Sequence, residues 1–96
     1  MEHEMKIATE YFQAVWDNKK NFELRKDDRG YSVGDVLILR EWADGDYTGS
    51  VIIKTVCYVL KNCKDYGLAD GYCILGLAPY KPFVRGKECN CFSGDA

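Results

Sequence analysis

At 96 residues, 47% hydrophobic and 29% charged, with a formal net charge of −2, the chain is sized for one globular domain with a modest core. That composition argues against disorder, and the acidic balance argues against tight non-specific binding to duplex DNA, which needs many phosphates neutralised. No apolar run approaches the roughly 20 residues that cross a bilayer, and Met1-Glu2-His3-Glu4 lacks the basic-then-apolar start of a signal peptide, so a cytoplasmic protein is expected.

Residues 3 to 8 alternate weakly and read as a first strand. Thr9 is positioned as a helix N-cap, with Glu10 in the first turn, where negative charge suits the helix dipole. Phe12, Val15 and Trp16 then fall at i, i+3 and i+4, one apolar helix face with Tyr11 at its edge, which places Trp16 in the core. Asn18 tolerates the left-handed conformation of a helix stop, and Lys19 and Lys20 follow near the negative end of the dipole. Strands are expected over residues 20 to 26 and 35 to 42. In the second, Val36-Leu37-Ile38-Leu39 is apolar on both faces and belongs inside the sheet. Residues 43 to 46 are turn chemistry, Tyr47-Thr48-Gly49 leads on, and residues 50 to 60 make the longest strand. A polar loop over residues 61 to 70 precedes a last strand at 71 to 77. The pattern then fades, which divides the chain into a domain over residues 1 to 78 and a tail over 79 to 96.

One helix after the first strand, followed by four more strands, predicts an α+β, mainly β fold: a small closed or nearly closed β-barrel with the helix across one end. Closure removes exposed sheet edges. The five cysteines, Cys57, Cys63, Cys73, Cys89 and Cys91, form no paired C-x-x-C pattern. Cys89-Asn90-Cys91 has ligand-like spacing, but it needs Cys63 or His3 to complete a set, so no metal and no cofactor is expected. His3 reads as an idle, exposed N-terminal histidine.

The densest chemistry lies in residues 19 to 35. Phe22 and Leu24 face one side of a strand, while Asn21, Glu23 and Arg25 face the other. Lys20 supplies a point charge, Glu23 accepts hydrogen bonds, and Arg25 offers a planar fork for a phosphate or a base edge. The structural alternative is a Glu23–Arg25 ion pair on a solvent face, worth about 0–1 kcal/mol. Lys26 and Arg29 add basic charge, and Asp27 and Asp28 between them either repel phosphates or tie the arginines in place. Trp42, Tyr47 and Tyr72 border turns and are candidates for stacking on a base.

The run Lys19 to Arg25, followed by Tyr31-Ser32-Val33-Gly34-Asp35, resembles the G-x-K-x-x-E-x-R … V-G-D signature of ASCH domains, in the PUA-like superfamily. The chain is most similar to a small uncharacterised branch from phages and bacteria. The shared pieces are His3 to Lys6, Glu10 to Phe12, Arg25 to Arg29, Leu39 to Trp42, Tyr47 to Gly49 and Gly67 to Gly76, in that order. The resemblance implies a PUA-like barrel that binds RNA or a modified nucleotide in a cleft between barrel and helix, with Lys20, Glu23 and Arg25 in it. Two departures stand out. Asn18-Lys19 replaces the glycine before the lysine. Glu23 stands where amidohydrolases of the ASCH group, which deacetylate acetylated cytidine, carry a threonine.

Three functions are therefore expected in order. The first is a binding module for RNA or a modified nucleotide. The second is a small amidohydrolase acting on an acylated nucleoside such as N4-acetylcytidine, with Lys20 and Glu23 catalytic. The third is a protein-interaction module using residues 61 to 70 or the tail.

Overall fold

The computed structural model describes residues 1 to 80. The expected tail over 79 to 96 therefore lies almost wholly outside the described residues, as do Cys89 and Cys91. Strand β1 (Glu2–Ala8) leads directly into helix α1 (Thr9–Trp16). Strands β2 (Phe22–Lys26), β3 (Val36–Ala43), β4 (Asp46–Leu60) and β5 (Tyr72–Pro79) follow, with a short 3-10 turn at Lys64–Tyr66. The fold is α+β and mainly β, with its one short helix after the first strand, as the pattern predicts.

The five strands form one curled sheet in the order β1-β3-β4-β5-β2. β1 runs parallel to β3, and the other pairs are antiparallel. β3 lies inside the sheet, between β1 and β4, as its two-faced apolar run requires. β4 begins at Asp46, so Tyr47-Thr48-Gly49 belongs to the strand and pairs Tyr47 with Trp42 across a tight turn. Asp44 and Gly45 both take positive φ there, as the common two-residue hairpin turn demands.

The concave face holds the core: Met5, Ile7, Leu37, Leu39, Ile52, Val56, Cys73, Leu75 and Leu77, closed by Phe12 and Val15 of the helix. α1 packs on β1 and β3. Trp16 is the exception to the expected apolar face: it is 65% exposed. The helix has only eight residues, and Phe12 with Val15 already covers the sheet, so Trp16 sits on the helix shoulder beside Glu41 and Val51. Thr9 is the first helical residue and not a capping one; Ala8 precedes it, and no side chain caps the helix. Asn18 does take the left-handed conformation, at φ 59°. The amides of Lys19 and Lys20 both bond back to the Ala14 carbonyl, at 2.9 and 3.0 Å, which folds the two lysines back toward the start of β2.

His3 is not idle. It is 5% exposed, its Nε2 lies 2.9 Å from Asp35 Oδ2, and its ring meets Tyr31 edge-on at 4.8 Å. Asp35 also accepts a hydrogen bond from the Ser32 amide at 3.0 Å, and the Met1 amino group lies 3.3 Å away. The Val33-Gly34-Asp35 motif is thus a structural clasp: Gly34 turns the chain at φ 97°, and Asp35 ties the start of β3 to the start of β1.

Burial pushes the Asp35 carboxyl up, but its bonds to His3, Ser32 and the Met1 amino group outweigh that and hold it below the ordinary carboxylate value. A depressed folded-state pKa stabilises the fold fully above the unfolded value of about 3.9, and the contribution is lost as the pH falls through the lower folded value. Urea midpoints measured from pH 7 down to pH 3 should therefore fall more steeply for the native chain than for Asp35→Asn. Parallel curves would remove Asp35 as a source of the acid loss.

A candidate nucleotide cleft at the open seam

β1 and β2 are the two edge strands of the curled sheet, and they face each other across an unpaired seam. Side chains close it instead of a backbone ladder. Arg25 Nη2 donates to the Lys6 carbonyl, and Arg29 Nη1 donates to the Glu4 carbonyl, each at 2.7 Å. Two edge acceptors of β1 are satisfied in this way. The expectation that Asp27 and Asp28 tie down the arginines is replaced by this arrangement; Asp27 pairs with Lys61 Nζ, at 3.2 Å.

β2 presents its polar residues inward. Glu23 lies opposite Leu75 and Arg25 opposite Cys73, both partners being fully buried. Phe22 and Leu24 take the outer face. Glu23 is 3% exposed, which overturns the reading of a pair on a solvent face. The inversion has a physical reason. At the seam the inner side of β2 borders the gap to β1, so a charged residue there has cationic partners on both sides. Lys20 Nζ lies 2.5 Å from Glu23 Oε2 and also donates to the Phe22 carbonyl at 2.7 Å. Arg25 Nε donates to Glu23 Oε1 at 3.0 Å. One buried carboxylate thus aligns an ammonium and a guanidinium along one wall.

That wall belongs to a cleft of about 710 Å³, lined by Lys6, Ile7 and Ala8 of β1, Tyr11 of α1, and residues 19, 20 and 22 to 25. The volume lies within the roughly 300–1,000 Å³ usual for small-molecule sites. Four basic residues, Lys6, Lys19, Lys20 and Arg25, line the cleft together with one acidic residue among those described, Glu23, which pairs with Lys20 and Arg25. Tyr11 and Phe22 supply aromatic surface, and the Lys20 ammonium lies 5.0 Å from the Phe22 ring and 5.7 Å from the Tyr11 ring. A chain that is acidic overall concentrates positive charge here, which raises the local concentration of anions.

Of the eight residues expected at a site, the structure brings Lys20, Glu23 and Arg25 into the cleft. Arg29 serves the seam. Lys26 and Tyr72 face each other across β2 and β5, exposed and outside the cleft. Trp42 and Tyr47 meet edge-on at 4.9 Å outside the cleft lining, on the far side of Lys6. The residues not foreseen are Lys6, Tyr11 and Lys19. Their signal in the sequence is weak, because Lys6 comes from a strand far away in the chain, and Tyr11 reads as the edge of a helix face.

Among the described residues the cleft lining contains no serine, threonine or cysteine. Cys73 is fully buried, and burial pushes its thiol up, with Asp27 adding to the shift, so it is no nucleophile. Among the described residues no three histidine, cysteine, aspartate or glutamate side chains converge as metal ligands. Among them, too, no helix is long and apolar enough to cross a membrane.

The uncharacterised 12.9 kDa protein in the GpA 3' region of Escherichia phage P2 is 51% identical to this chain over 47 residues. The aligned stretch covers 49% of this chain and 43% of the phage protein, so the chain spans less than half of that relative's length. A family described as a domain of unknown function, DUF3850, matches residues 2–77, which takes in the helix, strands β1 to β4, all but the last two residues of β5, and every described residue lining the cleft. The chain belongs to the DUF3850 family.

Proposed function

We propose that the cleft binds RNA or a modified nucleotide. The observation that carries this reading is the composition of its walls: four basic residues and one buried carboxylate that aligns two of them, beside two aromatic rings, in a space of nucleotide size. Phosphate suits the cations, and a base suits the flat apolar surface of Tyr11 and Phe22. The resemblance to ASCH domains supports the same reading, since it assigns Lys20, Glu23 and Arg25 to a nucleotide cleft of a PUA-like barrel. Glu23 holds Arg25 in plane, so the fork is fixed before the ligand arrives.

Lys19 is the residue with which to test this. It is exposed, lines the cleft, and its side chain makes no hydrogen bond among the described residues, so its loss leaves the fold intact. Lys19→Glu should weaken binding of a labelled single-stranded RNA by about tenfold, equivalent to about 1.4 kcal/mol, at an unchanged melting temperature. The native affinity should also fall as salt rises, as expected when phosphates are neutralised. Identical titrations for both proteins at low salt would defeat the reading.

A second reading rests on one contact. The Lys20 ammonium and the Glu23 carboxylate are close enough to pass a proton, as an amidohydrolase acting on an acylated nucleoside requires. With no serine, threonine or cysteine among the described lining residues, such a reaction falls to a water activated by this pair. Incubation with N4-acetylcytidine decides it: release of acetate that Lys20→Met abolishes supports hydrolysis, and a rate equal to buffer removes that substrate.

A further inference from the structure

Next to the cleft, on the convex face of the sheet, four side chains form a row of two rings between two cations. The Arg40 guanidinium lies 3.9 Å from the centre of the Tyr47 ring. Tyr47 meets Trp42 edge-on at 4.9 Å, with the ring planes at 86°. The Lys6 ammonium lies 3.9 Å from the centre of the Trp42 ring. The row crosses β4, β3 and β1, and it covers no core, because the buried residues of these strands point the other way. Lys6 belongs to both features: it ends the row and lines the cleft.

We propose that this row extends the cleft and that the ligand is a single-stranded polynucleotide longer than one residue. The inference rests on the nucleotide reading of the cleft. One nucleotide occupies the cleft, the chain passes Lys6, and the next bases lie against Trp42 and Tyr47. Two observations select this occupant. The row is continuous with the cleft through a shared cation. Its chemistry, two rings between two cations, is that of a single-strand track, in which bases stack and phosphates meet positive charge. Arg40 is available for a phosphate, since its one hydrogen-bonding side-chain partner among the described residues is the exposed Glu4 carboxylate, 3.5 Å away. A carboxylate at that distance on the surface is readily exchanged.

The chain has two tryptophans, so Trp16→Phe leaves Trp42 as the sole indole reporter. This protein is titrated with uridine 5′-monophosphate and with six-nucleotide oligouridine, as RNA and as DNA. The hexamer should bind at least about tenfold more tightly than the mononucleotide, and it should quench Trp42 emission. Trp42→Ala should remove most of that advantage, and so should Arg40→Ala, which disturbs no buried packing. RNA and DNA hexamers of equal affinity indicate a track that reads only phosphate and base; a preference for RNA adds contact with the 2′-hydroxyl. If hexamer and mononucleotide bind alike, or if both variants keep the hexamer advantage, the track is wrong while the cleft stands. If neither ligand binds, the cleft reading and the track fall together.

Discussion

Glu23→Ala is expected to destabilise the protein by about 3 kcal/mol, at the low end of the range for breaking a buried ion pair. The substitution leaves the Lys20 ammonium and the Arg25 guanidinium facing each other across an empty space. Their side chains are 16% and 27% exposed, so water relieves part of the repulsion and keeps the loss from being larger. Arg25 retains the Lys6 carbonyl as an acceptor, and Lys20 retains that of Phe22. Glu23→Gln keeps the shape and an acceptor oxygen but not the charge, so it should fall between the native chain and Glu23→Ala. The double variant Lys20→Met with Glu23→Leu should recover part of the loss, since it removes the Lys20 charge along with the carboxylate, while Arg25 keeps the Lys6 carbonyl as an acceptor. Urea denaturation of the four proteins at pH 7 measures this. A cost below about 0.5 kcal/mol for Glu23→Ala would mean that the cluster contributes no more than a surface pair. A Glu23→Gln protein that still binds RNA, beside a Glu23→Leu protein that folds but does not, would separate the carboxylate's charge from its role in aligning Arg25.

The second large effect lies in the core. Leu39→Ala should cost about 2–5 kcal/mol, because the leucine is fully buried and the strands around it cannot collapse into the space. It sits on β3, held between Met5 of β1 and Ile52 of β4, so both neighbouring strands fix the walls of the cavity. For a domain of this size each kcal/mol corresponds to roughly 4–8 °C in melting temperature. Trp16→Ala is the control. Its side chain is larger, but it stands mostly in solvent, and a change within about 0.5 kcal/mol is expected. If thermal unfolding ranks the two variants the other way, the helix is seated differently on the sheet.

The contrast between these two residues shows where sequence reasoning stops. Leu39 lies in a run that is apolar at every position, and any sheet that encloses it must bury it. Trp16 lies on a helix face, and a period of 3.6 residues says only which residues share a side. How much of that side is covered depends on the width of the sheet beneath it, and here Phe12 and Val15 suffice. Alternation in β2 has the same limit. It separates Phe22 and Leu24 from Glu23 and Arg25, but a period of two is silent on which set turns inward. The usual preference would bury the apolar pair. The fold buries Glu23 instead, because β2 lies at the seam, where Lys20 and Arg25 flank the inner side and the convex face leaves Phe22 and Leu24 at the rim of the cleft.

The order of the elements, the single helix after the first strand, the left-handed stop at Asn18 and the grouping of Lys20, Glu23 and Arg25 are legible in the residues alone, since each follows from local period or from a residue's own backbone preference. The clasp of His3 and Asp35 across two strands, the bridging of the β1 and β2 edges by Arg25 and Arg29, and the completion of the cleft by Lys6 and Tyr11 arise on folding. These contacts join residues far apart in the chain. Their partners are set by the strand order and the curl of the sheet, which no local pattern encodes.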